Sequence, residues 1–169
     1  MLFRSRVLVV RHAIAEDAAA YARDHADDAG RPLTSEGRKK MKRIARGLHA
    51  LVPEIQLLAT SPLTRAVQTA EIIAAACEVE PVIEPVLAPE RPPADVARWL
   101  QRTASHETVA IVGHEPALSH TVSWLLAGSE RAFVEIKKGG ALLLEFPDAV
   151  AATHASLAWA LTPSQLRAL

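Results

Sequence analysis

The chain carries three short apolar runs that are rich in β-branched residues. They lie at Val7–Val10, in the segment EIQLLAT (54–60) and in the segment TVAIVGH (108–114). Runs without polar alternation are typical of strands that are covered on both faces, as in a parallel sheet. We therefore predict parallel strands at these positions.

Between these runs, apolar residues recur at helical spacing. In the segment 34–52, Met41, Ile44 and Leu48 fall on one face and Thr34 stands at the N-cap position. In a second segment, 61–77, a Ser-Pro pair at its start fits an N-cap followed by the first helical residue. Two further segments are predicted to be helical: 93–104 and 115–128.

The last third of the chain changes character. The segment 132–146 is rich in strand-forming residues but is interrupted by Lys-Lys-Gly-Gly at 137–140, which predicts a hairpin or a bulged strand. The two glycines fit a plain turn or an anion-binding nest. A last strand is predicted within 154–163, and the proline-rich segment 84–95 is predicted to be a loop. The alternation predicts an α/β fold, a three-layer sandwich with a mostly parallel central sheet.

Composition narrows the possible partners. The 169 residues carry 19 Lys and Arg against 19 Asp and Glu, so no overall charge favours nucleic acid or an anionic membrane. The length fits a single domain over 1–169. No apolar run approaches the ~18 residues of a membrane span, and the lone Cys77 fits a buried thiol. We expect a cytoplasmic protein without nucleic-acid or membrane partners.

Basic and imidazole side chains stand where the predicted strands end. Arg11 and His12 follow the first strand, Arg65 lies in the helix after the second, and His114 ends the third. Ligands of open parallel sheets bind beyond these carboxyl ends, so we expect the four side chains to converge. Guanidinium groups fit a phosphoryl dianion, and a neutral imidazole is a competent nucleophile. The residues indicate phosphoryl transfer in which one histidine attacks phosphorus and the other stabilises the phosphoryl group.

No metal or cofactor is expected. The segment HEPALSH (114–120) contains two histidines, but a helical zinc motif needs the second one at the position of Leu118. A phosphate group in the pocket is therefore the ligand that the sequence predicts.

Four motifs carry a resemblance to a known family. In order, they are LVVRHAIAE (8–16), RPLTSEG (31–37), SPLTRAVQTAE (61–71) and VGHEPALS (112–119). They resemble the histidine phosphatase superfamily, which has the fold of phosphoglycerate mutases. With the short length and the segment KKGGALLLEF, they resemble more narrowly the SixA-type phosphohistidine phosphatases.

The resemblance implies that His12 is the nucleophile and forms a transient phosphohistidine. It implies that Arg11, Arg65 and His114 form the phosphate pocket, without a metal. His12 must be neutral to attack, whereas a protonated His114 would stabilise the phosphoryl group better, which predicts a bell-shaped pH profile.

Two positions depart from the superfamily pattern. Ala13 stands where a glycine usually follows the Arg-His pair, and Pro89 stands about where many members carry a general-acid Glu. Glu90, Glu16 and Asp17 are candidate acids. A P–N bond needs such an acid less than a P–O bond does, because imidazole can leave as a neutral heterocycle.

The sequence thus predicts a phosphatase that acts on phosphohistidine in a signalling or phosphocarrier protein. A phosphatase of small phosphate esters is the alternative, and a non-catalytic phosphoprotein-binding module is a third hypothesis.

Overall fold

A six-stranded sheet forms the centre of the molecule in the computed structural model, which describes residues 5–169. Its strands are β1 (Ser5–Arg11), β2 (Leu57–Thr60), β3 (Pro81–Ile83), β4 (Thr108–Gly113), β5 (Ala141–Phe146) and β6 (Ser156–Leu161). Their spatial order is β3-β2-β4-β1-β5-β6. The first four of these strands are parallel, whereas β5 runs antiparallel to β1 and β6. The predicted α/β fold with a mostly parallel sheet is confirmed.

Helices cover both faces of this sheet. They are α1 (Ala18–Ala22), α2 (Ser35–Leu51), α3 (Thr64–Cys77), α4 (Pro93–Arg102), α5 (Ala117–Ala127) and α6 (Pro163–Arg167). Alternate residues of β1 point to opposite faces, so Leu8 and Val10 pack with α2, α3 and α6, while Val7 and Val9 pack with α4 and α5. Within residues 5–169, no helix is both long and apolar enough to cross a membrane.

The predicted start of α3 is wrong, and the error matters for the site. The helix begins at Thr64, after Leu63, because Ser61 still belongs to the strand ladder and donates its N–H to the Val112 carbonyl over 3.0 Å. The other helical predictions are closer. Thr34 caps α2 by accepting from the N–H of the third residue of that helix, and α5 ends at a left-handed glycine.

The predicted hairpin or bulged strand over 132–146 is also wrong. Only β5 is a strand there, and residues 132–137 run as an irregular segment across the end of β1. The reason is that this segment bonds to the end of β1 instead of to a partner strand. The Arg11 guanidinium donates to the Ile136 carbonyl over 3.0 Å, and the Gly139 N–H points at the carbonyls of Arg11 and His12.

The glycines at 139 and 140 form a turn and not an anion-binding nest. Gly139 has φ +78°, and its N–H donates to the backbone carbonyls of Arg11 and His12 at the end of β1. Gly140 donates its N–H to the Lys137 carbonyl over 2.7 Å. Since both amides already have carbonyl acceptors, neither is available to an anion, and Lys138 is the residue of this turn that reaches the functional cavity.

Three short elements were not predicted, of which the five-residue helix α1 is the first. The edge strand β3 begins with a proline and has only three residues, which are too few to show a recognisable alternation. Helix α6 follows Thr162, which forms a capping box with Gln165, and Leu166 is fully buried against α2. Gly47 of α2 allows this packing, because a Cβ there would lie 2.2 Å from the Leu166 carbonyl oxygen.

Candidate active site

The register of β1 and β4 brings two histidines together. Arg11 pairs with Gly113, so His12 and His114 are the next residues beyond two neighbouring strand ends. The His12 N–H continues the ladder by donating to the Gly113 carbonyl over 3.1 Å. The two rings are buried, with centroids 5.2 Å apart.

These histidines line a cavity of about 530 Å³ together with both predicted arginines. Its walls are Arg11, His12, Ala15, Glu16, Asp17, Ala18, Arg31, Arg65, Pro89, His114, Glu115 and Lys138. Of its carboxylates, Glu115 is engaged, because it accepts from the N–H and the hydroxyl of Ser119. The four side chains predicted to converge do converge, and the cavity has a surplus of cationic groups that suits an anionic ligand.

The His12 ring is held in one tautomer. Its Nδ1 lies 2.7 Å from the Ala13 carbonyl oxygen, which can only accept, so Nδ1 carries the hydrogen and Nε2 has a free lone pair. Burial, with smaller contributions from the charges of Arg65 and Arg11, lowers the pKa of His12 to about 4, against the opposing effect of the Ala13 hydrogen bond. His12 is therefore neutral at pH 7.

The His114 ring bonds to Ser61 instead of to the backbone. Its Nε2 lies 2.7 Å from the Ser61 hydroxyl oxygen. Burial lowers the pKa of His114 to about 3, with smaller contributions from His12, Arg65 and Arg11. The expectation of a protonated His114 is therefore not supported by its surroundings.

The sequence analysis missed Asp28, which holds Arg65, and Arg31, which holds Asp28. The Asp28 carboxylate lies 3.2 Å from Arg65 Nη1, and it also accepts from Arg31 Nε over 2.7 Å. Arg31 in turn donates to the Glu16 carbonyl over 2.8 Å and lines the cavity. Hydrogen bonding from Arg31 lowers the pKa of Asp28, so this carboxylate is ionised and bridges two arginines.

Arg31 could have been found, because it opens the RPLTSEG motif. Nothing in the sequence distinguishes Asp28 from Asp24 or Asp27 in the same loop. Ser61 was noticed only as a helix cap, and its bond to His114 depends on the pairing of β2 with β4.

Three buried side-chain nitrogens have no hydrogen-bond partner within the described part of the chain, and all three belong to this site. They are Arg11 Nε, Arg65 Nε and His114 Nδ1. Buried polar groups are normally paired, so unpaired ones need a specific explanation. Two of them are obligatory N–H donors, and an anion with several acceptor oxygens matches such a set.

The candidate acids fall in different places. Glu16 and Asp17 line the cavity, and Asp17 also caps α1 by accepting from the Ala20 N–H over 2.9 Å. Glu90 lines a neighbouring cavity of about 430 Å³, which meets the first one at Pro89 and Glu115. Two of the three candidate acids, Glu16 and Asp17, therefore line the cavity of the histidines, whereas Glu90 lies in the adjoining cavity.

The fold accommodates an alanine at position 13, where the superfamily usually has glycine. Ala13 is buried, its N–H donates to the Thr69 hydroxyl over 3.0 Å, and its backbone is not in the left-handed region. A Cβ is therefore compatible with the backbone conformation at this point.

Comparison with known sequences gives a family match over the first half of the chain. A model described as the histidine phosphatase superfamily (branch 1) matches residues 7–89. An uncharacterized protein from Picosynechococcus sp. is 37% identical over 133 residues, which cover 77% of this chain and 78% of the relative.

Comparison with solved structures gives matches over nearly the whole chain. The structure of the protein histidine phosphatase SixA complexed with tungstate has a TM-score of 0.82 at 24% identity, covering 95% of this chain and 99% of that one. The phosphoserine phosphatase of Entamoeba histolytica in complex with 3-phosphoglyceric acid has a TM-score of 0.72 at 14% identity, with coverages of 96% and 99%. At these identities the likeness establishes a shared fold.

Proposed function

Because the chain belongs to the histidine phosphatase superfamily, we propose that it hydrolyses phosphohistidine on a partner protein, with His12 as the nucleophile. The observation that carries the proposal is the tautomer of His12. Its Nδ1–H is bound to the Ala13 carbonyl, so the lone pair on Nε2 is the group that can attack phosphorus.

In the first step, His12 Nε2 forms a bond to phosphorus while the P–N bond of the substrate breaks. The electron pair of that bond goes to the substrate nitrogen. A substrate ring that is already protonated on its other nitrogen then leaves as neutral imidazole, so no proton has to be delivered by the enzyme. In the second step, water attacks the phosphorus on His12, the new P–N bond breaks, and phosphate and a proton are released.

The cationic side chains stabilise the transferred phosphoryl group. Arg11 and Arg65 each have an Nε–H without a partner among residues 5–169, and Arg31 and Lys138 add positive charge at the cavity wall. Phosphoryl transfer depends chiefly on positioning and on neutralising charge on the equatorial oxygens, which is what these groups supply.

The leaving group favours phosphohistidine over an ester. An alkoxide must be protonated as it leaves, and general acid catalysis of that kind contributes about 10²–10⁴-fold. Asp17 is engaged as a helix cap and Glu90 lines another cavity, so Glu16 is the one candidate acid of the three that is left to serve the cavity. The solved SixA structure that shares this fold is described as a protein histidine phosphatase, which agrees with this choice.

The experiment compares substrates and traps the intermediate. A ³²P-phosphohistidine phosphocarrier protein and a panel of phosphomonoesters are assayed side by side, and acid-labile label on the enzyme is measured after rapid quench. We expect faster turnover of the phosphoprotein and label that disappears in His12→Ala. A matched control is His154→Ala, which removes an exposed histidine and should keep both activity and label. Label that persists in His12→Ala would contradict the proposal.

One observation favours a small phosphate ester as the second candidate. The Glu16 side chain lines the cavity and could protonate an alkoxide. If esters are the substrates, Glu16→Gln should reduce ester hydrolysis by about 10²-fold or more. Phosphohistidine hydrolysis should be nearly unchanged in the same variant, so the two activities separate the candidates.

A further inference from the structure

Ser61 lies behind His114 and is fully buried. It extends β2 by one residue, since its N–H donates to the Val112 carbonyl over 3.0 Å. This pairing places its hydroxyl 2.7 Å from His114 Nε2. Ser61 does not line the cavity, whereas His114 does, so any effect of Ser61 on a ligand must pass through the ring.

The hydroxyl of Ser61 has a limited set of partners. Within residues 5–169 its hydrogen-bonding neighbours are the Leu63 N–H, at 3.2 Å, and His114 Nε2. A hydroxyl has one hydrogen to donate and two lone pairs that accept. The Leu63 N–H occupies one lone pair, so the hydroxyl hydrogen is free to be donated to Nε2.

The second ring nitrogen of His114, Nδ1, determines which of the two tautomers suits a phosphoryl ligand. His114 Nδ1 is buried and has no protein partner among the described residues. In a neutral ring with hydrogen on Nε2, Nδ1 would present a lone pair to the oxygen lone pairs of a phosphoryl group, and the two would repel. With hydrogen on Nδ1, the same atom donates a hydrogen bond to that oxygen.

We propose that Ser61 is a positioning residue, whose O–H donates to His114 Nε2 and thereby fixes the ring as the Nδ1–H tautomer that donates to a phosphoryl oxygen. This rests on the proposed function only in that the ligand is a phosphoryl group. His114 then stabilises the transferred group as a neutral donor, with Ser61 on one nitrogen and phosphate on the other. A His114 side chain of this kind needs no proton from solvent to do its work.

The tautomer can be observed directly. Long-range ¹H–¹⁵N spectra of the full-length protein distinguish the two nitrogens of each neutral histidine ring. The wild-type protein should show His114 with hydrogen on Nδ1 and a hydrogen-bonded Nε2 acceptor. A spectrum with hydrogen on Nε2 of His114 would overturn the proposal, whatever the enzyme does to phosphohistidine.

Variants then test whether Ser61 causes this state. Ser61→Ala should leave the Nδ1–H tautomer of His114 at about one tenth of the population, which weakens the affinity for inorganic phosphate about tenfold because only that tautomer donates to the ligand. Ser61→Thr retains the hydroxyl and should restore the Nδ1–H tautomer and most of the phosphate affinity.

A matched control separates this role from a loss of stability. Ser123 is also fully buried and accepts the N–H of Phe133 over 3.2 Å, and it is not among the residues that line the cavity. Ser123→Ala should lower the melting temperature without changing the His114 spectrum or phosphate affinity.

An unchanged tautomer and unchanged phosphate affinity in Ser61→Ala would contradict the proposal. Because neither the spectrum nor the phosphate-binding measurement uses a phosphoprotein, both remain valid if phosphohistidine proves not to be the substrate.

Discussion

The side of the cavity that carries His12 is held by backbone groups, whereas the side that carries His114 is held mainly by side chains, with one further bond from Arg65 to the Asp28 carbonyl over 3.3 Å. His12 Nδ1 bonds to the Ala13 carbonyl, and Arg11 bonds to the Ile136 carbonyl. Across the cavity, His114 bonds to the Ser61 hydroxyl and Arg65 pairs with the Asp28 carboxylate. The two sides have similar burial and similar residue types but different supports.

This difference has a consequence for how each side responds to substitution. A carbonyl partner remains when its residue is replaced, so the orientation of His12 and Arg11 depends on the backbone path. A hydroxyl or carboxylate partner can be removed by one substitution, so the orientation of His114 and Arg65 can be changed separately. Thr69 joins the two sides, since it accepts from the Ala13 N–H and donates to the Arg65 carbonyl.

The largest effect should come from His12, the proposed nucleophile. His12→Ala removes the attacking lone pair while leaving the cationic groups in place, so turnover of a phosphohistidine substrate should fall by about 10⁴-fold or more. Steady-state kinetics and phosphate binding should be measured together. Retained phosphate binding with lost turnover is the expected pair of results, and near-normal turnover would exclude His12 as the nucleophile.

Acid should destabilise the protein through both sides of the cavity. The pKa values of His12 and His114 are lowered to about 4 and about 3, so between these values and the usual 6.5 the unfolded chain binds more protons than the native one. Stability therefore falls as pH falls from about 6.5 toward 4, and His12 alone contributes about 2 to 3 kcal/mol by pH 4.5.

Urea unfolding at pH 7 and pH 4.5 measures this loss. His12→Gln and His114→Gln should each lose less stability over this interval than the wild-type protein. The interval stays above the titration of Asp28, whose pKa is lowered mainly by its hydrogen bond with Arg31. An equal loss in both variants and the wild type would show that neither histidine is the source.

Removing the link between the two sides should have an intermediate effect. Thr69→Val leaves the buried Ala13 N–H without its acceptor, which costs about 2 kcal/mol of unfolding free energy and disturbs the backbone that holds His12. Thr121→Val is a matched control, because Thr121 is also buried and also donates to the carbonyl four residues earlier. Denaturation of both variants should show the larger loss for Thr69→Val, and equal losses would refute the link.

The smallest effect should come from Asp28, which is partly exposed. Asp28→Asn removes the carboxylate between Arg65 and Arg31, and kcat/KM should fall about twofold to fivefold because exposed ion pairs contribute up to about 1 kcal/mol. Asp24→Asn makes the same change of charge at an exposed position of the same loop. If charge alone mattered, both variants would bind phosphate more tightly, so a gain in Asp28→Asn would contradict a positioning role.

The errors of the sequence analysis have a common cause. The hairpin predicted over 132–146 is absent because that segment bonds to the end of β1, a partner more than a hundred residues away in the chain. Asp28 was missed because its contact with Arg65 spans 37 residues, and the bond between Ser61 and His114 spans 53. Propensity and periodicity describe local preferences and carry no information about such pairs.

The sequence by itself determined the α/β alternation and the types of residue at the ends of the parallel strands. It could do so because strands covered on both faces are continuously apolar, so the first polar residues after them mark the edge of the sheet where ligands bind. The tertiary structure decided which hydrogen bonds those residues make. The strand register places Ser61 against His114, and the loop before α2 brings Asp28 to Arg65. These contacts set the tautomers and orientations of the site, because in a buried cavity each polar atom is restricted to the partners that the fold brings within hydrogen-bonding distance.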